Sequence, residues 1–442
     1  MFSKQKEYLK EGHLRTYSLR LLHIHQLKKE ILSKEKAIIN ALKRDIGKSD
    51  YESYMMEYYL VLSECDYFIK HLKNLVTPKK LPWDLSTFPA KKRILYKPYG
   101  QVLIQSPWNY PFQLALIPVI GAICAGNTVV LKTSRKVPHV NEVLGEIFQG
   151  FPKELIYFAE EESHDEILEY PFDFYFFTGS KKVGKKIYEI AAKNMAPIVL
   201  ELGGKSPCII DETASIDDAA KKIAWGKFSN GGQTCVAPDY VLIHHSKKKP
   251  FIQAMKKEMK AYQSEDQMAR IITEEKFQEL RSYLEDYDEI IGGETIVDQR
   301  ILFPTLLPNV TKEDAIMEEE IFGPILPILS YDDFDEAIDI VLSKDTPLAL
   351  YLFSKDHQAI NRAIMGLPYG SSCLNDTLIQ LASHDLPFGG LHESGMGNYH
   401  GKHSFYTFSH ETAFLKGSSF KNPLRFPPYT SKKLKWLDRF MK

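Results

Sequence analysis

The sequence lacks the cysteine pattern of a stapled or metal-bound module. Its 442 residues contain five cysteines, Cys65, Cys124, Cys208, Cys235 and Cys373, an odd set without a C-x-x-C pair. That argues against a disulfide framework and against a zinc knuckle. Charge of either sign is not in excess: 56 lysines and arginines face 57 aspartates and glutamates, for a formal net charge of -1. Nothing in that balance attracts nucleic acid as a partner. Long apolar runs are missing too. The longest, residues 115–125, is too short to span a bilayer and contains Pro118, and the opening MFSKQKEYLKEGH has no signal-peptide core. A reducing cytoplasm is the expected compartment. The histidines, including His23 and His25, lack ligand spacing, so no metal is expected. No internal repeat or low-complexity tract is visible.

What is present suits a soluble enzyme-sized chain. Hydrophobic residues make up 44% and charged residues 26%, close to globular averages, and the length implies two or three domains. Up to about residue 75 the apolar positions Tyr8, Leu14, Leu21, Ile24, Ile38, Ile39 and Leu42 recur at helical spacing. Residues 77–99 carry Pro78, Pro82, Pro89 and Pro98 and read as an extended arm that contacts a second subunit. Strands at 101–105, 128–131, 155–159, 172–177 and 198–200 then alternate with helices near 112–124, 139–148 and 181–194. That alternation predicts a doubly wound parallel sheet with ligands at the carboxyl ends of its strands. A second series has strands at 208–210, 240–244, 326–329 and 348–353 and helices near 216–228, 250–261 and 334–342. The fold class is therefore α/β: a Rossmann-like cofactor domain (1–76 and 100–203), a second α/β catalytic domain (204–395), and a small β-arm oligomerisation element with a C-terminal tail (77–99 and 396–442).

Several short runs could carry chemistry. FTGSKKVGKK, residues 177–186, follows a strand and opens a helix whose inner face is expected to hold Val183, Ile187 and Ile190. Its free N–H groups suit a phosphate, although a plain strand-to-helix turn has the same composition. A P-loop is disfavoured because Lys186 stands where the magnesium-binding hydroxyl belongs. Cys235 follows Gly231 and Gly232 and polar Gln233 and Thr234, which favours exposure over the buried role expected of Cys124 and Cys208. A free thiol with a pKa of about 8.5 still needs activation by nearby donors. Glu201, at a strand end before two glycines, reads either as a salt-bridge partner or as a general base. Asn109 in SPWNYP reads either as a turn residue or as an amide donor to an oxyanion.

Taken together, SPWNYP, VVLKTS, FTGS, ELGGKSP, GGQTC, EEEIFGP and PFGG occur in the order seen in aldehyde dehydrogenases. The runs FSNGGQTCVAPDY, LNDTLI, SGMGNYHGKHSFYTFSH and NPLRFPPYT resemble the class 3, fatty and aromatic aldehyde, branch. The resemblance implies oxidation of an aldehyde to an acid with NAD or NADP, through a thiohemiacetal and thioester on Cys235. It implies Asn109 and the Cys235 N–H as oxyanion donors and Glu201 as the base for the hydrolytic water. Lys132, Gly179, Ser180, Gly184, Gly203, Glu320 and Phe322 would bind the cofactor, with Lys132 on the adenosine ribose and Gly179 and Ser180 on the pyrophosphate. Trp108, Tyr110 and Phe388 would lie near the substrate tunnel, and the protein would be a homodimer. The alternatives are a cysteine hydrolase using only Cys235 and Glu201, or a non-catalytic nucleotide-binding scaffold.

Departures from the family pattern sharpen these expectations. Leu391, His392 and Glu393 replace smaller residues in PFGGLHESGMG and are expected to narrow or polarise the tunnel. The tail after Phe420 combines seven lysines or arginines with Phe426, Tyr429, Trp436 and Phe440, a composition suited to peripheral contact with anionic lipid. Three residues after Lys132, where NAD-preferring members carry glutamate, this chain has Arg135, followed by Lys136. NADP is therefore expected to be accepted and favoured. A charge-assisted hydrogen bond contributes about 1.5–3 kcal/mol, which corresponds to about tenfold to a hundredfold in selectivity. Arg135→Glu should shift the ratio of kcat/KM for NADP over NAD by that factor toward NAD; an unchanged ratio would place the guanidinium in solvent.

Overall fold

Two mostly parallel sheets, each assembled from short apolar strands and each with an antiparallel edge strand, carry the fold. The computed structural model describes every residue except Leu85, Lys421, Asn422 and Lys442, and the side chains of Phe440 and Met441 lie outside the description as well. Part of the basic tail and one arm residue therefore fall outside the described residues.

The first sheet has the order Gly395–Met396, Ile198–Glu201, Phe174–Thr178, Gln101–Gln105, Thr128–Lys132, Ile156–Phe158. All neighbours are parallel except the edge strand Gly395–Met396, which pairs antiparallel with Ile198–Glu201. The central strands are buried throughout, as continuous apolar runs between two helical layers should be. The second, seven-stranded sheet runs Ile291–Gly292, Thr305–Leu307, Ile325–Tyr331, Tyr240–His244, Pro207–Ile210, Ala349–Phe353, Ser371–Leu374. Its edge strands, Ile291–Gly292 and Ser371–Leu374, and the interior strand Thr305–Leu307 are short segments that periodicity alone did not mark.

Lys91–Pro98 and Ser409–Lys416 pair antiparallel along their whole length, with Lys79–Lys80 on the other side, and make the third sheet. The proline-rich arm is thus a real strand. Part of the chain beyond residue 395 has a different position from the one expected of a tail: Gly395–Met396 closes the first sheet, and the helix Lys402–Thr407 packs on the helix Pro111–Ala125. Gly121 permits that approach, because a Cβ there would come 2.7 Å from the Ser404 Cβ. The inner face of the helix Lys181–Lys193 also differs from expectation. Gly184, Ile187 and Ala191 are buried, whereas Val183 is 43% exposed. Gly184 occupies the register in which a larger residue would strike Leu202.

One apolar cluster runs from Phe176 and Val199 of the first sheet to Cys208, Val241 and Phe353 of the second. Shared packing of this kind holds the facing strand ends in a fixed relation, and the site lies between them.

Candidate active site

The carboxyl ends of the first sheet deliver the polar groups. Lys132 ends Thr128–Lys132, Glu201 ends Ile198–Glu201, Gly179 and Ser180 follow Phe174–Thr178, and Asn109 lies four residues beyond Gln105. From the other side, Cys235 sits between the helix Ile216–Phe228 and the strand Tyr240–His244. Asn230, Gly231 and Gly232 all take positive φ, 54°, 60° and 74°. At Gly232 a Cβ would stand 2.3 Å from the Gly323 carbonyl oxygen, so only glycine permits the turn.

Side chains lock this turn from within. Gln233 donates to the carbonyls of Asn230 and Arg270 at 3.1 and 3.0 Å and accepts from the Ile272 N–H at 3.0 Å. Asn230 donates to the carbonyls of Asn109 and Gln233, at 2.9 and 3.1 Å, and the Asn109 side chain also reaches the Gln233 carbonyl at 3.1 Å. Tyr110 and Thr234 share a hydroxyl hydrogen bond of 2.7 Å. A second lock holds the loop that bears Glu320 and Phe322. Lys205 pairs with Asp239 at 2.7 Å and donates to the carbonyls of Ile316 and Glu319, while Asp239 accepts from the Ile321 N–H at 3.1 Å.

All five cysteines are free, and only Cys235 is more than marginally accessible. Burial pushes its thiol up, and the nearby carboxyls of Glu320 and Glu201 add to that. The N–H groups of Cys235 and Val236 point at the sulfur and act in the opposite direction. Glu201 is buried with neither carboxyl oxygen hydrogen-bonded, and burial alone raises its pKa well above the ordinary 4.5. Glu320 rises to about 8, from burial and then from Asp239, although the Gly204 N–H offsets part of it. Burial thus favours the neutral form of both carboxyls.

Cys235 lines a cavity of about 640 Å³, walled by Met55, Met56, Tyr59, Leu114, Trp225 and Ile379 among others. Tyr110 and Phe388 line it. Trp108 does not: it packs edge-on against Phe322 at 5.6 Å between ring centroids, with Lys136 above it, because its strand-end loop turns toward the Glu320 loop. Leu391, His392 and Glu393 are also outside the cavity, exposed on a short surface turn where Glu393 accepts from the Thr346 N–H. The narrowing expected of them is absent. Sequence reading missed the wall formed by residues 49–60 and by Tyr399 and His400, since contact across the fold leaves no local pattern.

A thiol near buried carboxyls on the wall of an apolar cavity, beside the strand ends of a doubly wound sheet, is the arrangement of an enzyme that acts on a small apolar substrate. Comparison with known proteins gives the family: residues 6–413 match the model of the aldehyde dehydrogenase family. The chain is 43% identical to the 4,4'-diaponeurosporen-aldehyde dehydrogenase of Staphylococcus aureus over 453 aligned positions, covering 100% of this chain and 98% of that one. It is 38% identical to aldehyde dehydrogenase family 3 member A2 of Rattus norvegicus, covering 99% and 92%. A solved structure of the substrate-bound state of Staphylococcus aureus AldH superposes with a TM-score of 0.96 at 42% identity, covering 100% and 98%. The chain belongs to the aldehyde dehydrogenase family. It oxidises an aldehyde to the carboxylic acid with NAD(P).

The residues fit that cofactor. The helix Lys181–Lys193 begins at Ser180 without a side-chain cap, leaving its first N–H groups for phosphate. Gly203 keeps the Glu320 carboxyl clear, since a Cβ would come 2.0 Å from its oxygen. Lys132 is held by the carbonyls of Ala159 and Glu160 at 2.7 and 3.1 Å.

The orphaned Glu201 carboxyl has a consequence for stability. In the unfolded chain it ionises above its ordinary 4.5, whereas burial in the native site raises its pKa and favours the protonated form, so its cost grows as pH rises. Glu201→Gln should therefore melt above wild type, with a gap that widens from mildly acidic to alkaline pH. A gap that is constant with pH would mean the native carboxyl titrates normally.

Proposed function

We propose that Cys235 is the nucleophile, that Asn109 and the Cys235 N–H bind the oxyanion, and that Glu201 activates the hydrolytic water. The observation that carries this is that Cys235 is the one cysteine lining the cavity, with a desolvated and unpartnered Glu201 close enough to act on its thiol electrostatically. Cys235 Sγ, its proton first released to solvent, attacks the aldehyde carbon as the thiolate; the carbonyl π pair moves onto oxygen, and the resulting oxyanion is held by the Asn109 amide and the backbone N–H. When bound, NAD(P) supplies the hydride acceptor, which leaves the acyl group on Cys235 as a thioester. A carboxyl with a raised pKa takes up a proton readily, so Glu201, once ionised, accepts one from water as the water attacks the thioester carbon. Cys235 leaves as the thiolate and the acid departs. Lys132, Gly179, Ser180, Gly184, Gly203, Glu320 and Phe322 hold the cofactor. Arg135, exposed and donating to the Glu161 carbonyl at 3.1 Å, stands three residues beyond Lys132 and favours a 2′-phosphate.

The cavity wall selects the substrate. Its methionines and aromatics favour an aldehyde with a long apolar tail, and each buried methylene contributes about 0.8 kcal/mol. The strand Ser409–Lys416 is an outer strand of its sheet, with Phe414 and Leu415 exposed, which supports a homodimer through this edge. No described helix is long and apolar enough to cross a membrane. The helix Ser431–Met441 nevertheless exposes Leu434 and Trp436 among Lys432, Lys433, Lys435 and Arg439, which supports peripheral contact with anionic lipid.

Two measurements test these assignments. Aldehyde-dependent absorbance at about 340 nm, the signature of reduced nicotinamide, should vanish in Cys235→Ser, and in wild type kcat/KM should rise about fourfold per methylene along a homologous series. Turnover by Cys235→Ser would remove the nucleophile assignment, and a flat series would remove the apolar-tail preference. In sedimentation, the full chain should weigh twice 50.8 kDa and a version ending at residue 416 twice its own smaller mass, and only the full chain should pellet with anionic vesicles. A monomer, or equal pelleting, would count against the edge or the tail respectively.

A further inference from the structure

Lys48 and Glu57 are both completely buried and neither lines the substrate cavity. The Lys48 ammonium pairs with Glu57, donates to the Asn109 carbonyl at 2.8 Å, and stands 3.8 Å from the centroid of the Tyr110 ring. The other Glu57 oxygen accepts from the N–H groups of Phe112 and Gln113, at 3.1 and 2.9 Å, and so caps a helix whose own N-cap residue provides no side-chain bond. One carboxylate therefore fixes the start of the helix Pro111–Ala125, and the ammonium it balances fixes the peptide just before it. On the opposite side the Asn109 carbonyl also accepts from Asn230, and the Asn109 side chain reaches Gln233, two residues before Cys235.

The pair has an unusual backbone beneath it. Residues Tyr54–Tyr58 form a π-helical turn between the helices Asp50–Ser53 and Tyr59–Leu75. The wider turn sends Glu57 into the core while Met55, Met56 and Tyr59 face the cavity. Such turns are rare and, where they occur, are frequently at functional sites. A buried ion pair is a poor source of net stability, because desolvation of both charges offsets their attraction. What it does supply is direction: a charge-assisted hydrogen bond to one carbonyl, from a lysine with no room to move.

We infer that Lys48 and Glu57 are positioning residues for the reaction, holding the Asn109 amide in register with Cys235 so that it meets the oxyanion. This rests on the role assigned to Asn109 above. A misplacement of the amide by a fraction of an ångström weakens a hydrogen bond that matters only once the oxygen carries charge, so the loss falls on kcat and not on binding.

The test is a cycle of substitutions that leaves no stranded charge. Lys48→Met combined with Glu57→Gln removes the ammonium and keeps an acceptor for the helix amides. In the otherwise wild-type enzyme this pair should lower kcat about 10- to 100-fold with KM for the aldehyde changed less than about threefold. In an Asn109→Ala background, where no amide remains to be positioned, the same pair should lower kcat less than about twofold. Thermal midpoints should fall equally in both backgrounds, which separates the kinetic effect from a stability effect. Lys48→Arg, which keeps the charge and the donors but not the fit, provides a second cycle should the double substitution fold poorly, and it should show the same non-additivity. Equal loss of kcat in both backgrounds, or unchanged kcat in the folded variant, overturns the inference. An Asn109→Ala enzyme with near wild-type kcat overturns the role of Asn109 first and this inference with it.

Discussion

Keeping two carboxyls out of water beside a thiol that opens only onto an apolar cavity is the constraint on which the rest of the structure depends. Cys235, Glu201 and Glu320 share one desolvated space, and each is shifted toward its neutral form by burial first. Exposure to water would lower all three pKa values and give an ordinary surface cysteine beside ordinary ionised carboxylates. The apolar cavity wall is therefore part of the chemistry as well as of substrate recognition. It favours the neutral form of both carboxyls.

Such a space has to be built from groups that lack flexibility, and two buried ion pairs meet that need at opposite sides. Lys205 and Asp239 tie down the loop of Glu320 and Phe322, while Lys48 and Glu57 tie down the loop of Asn109 and Tyr110. Between them the Cys235 loop turns through left-handed backbone, closed by Gln233 and Asn230. Glycines supply the clearance. Gly203 is small because Glu320 lies against it, and Gly232 because the Gly323 carbonyl does. Close approach, more than flexibility, explains both.

Much of the fold was legible in advance, because strands buried on both faces read as unbroken apolar runs. Thr128–Lys132 and Tyr240–His244 appeared within a residue of where they lie. Gly395–Met396 was hidden, since two residues have no period and gain their strand character only by pairing with Ile198–Glu201. The helix Lys181–Lys193 was assigned correctly but rotated: a periodicity argument weights the large Val183, whereas the sheet admits only Gly184 beside Leu202. Among the site candidates, Tyr110 and Phe388 reached the cavity wall and Trp108 did not, because adjacent residues in a loop point in unrelated directions.

The amino-acid sequence by itself determined the class of fold, the family and the short list of reactive side chains, because those depend on apolar periodicity and on ordered motifs such as ELGGKSP and GGQTC. Only the tertiary structure decided which groups lack water and which have partners. That Glu201 has no hydrogen bond, that Lys48 reaches the Asn109 carbonyl across 61 positions, and that residues 49–60 wall the cavity are outcomes of packing. Desolvation and long-range pairing are properties of assembled surfaces, so no local pattern of residues encodes them.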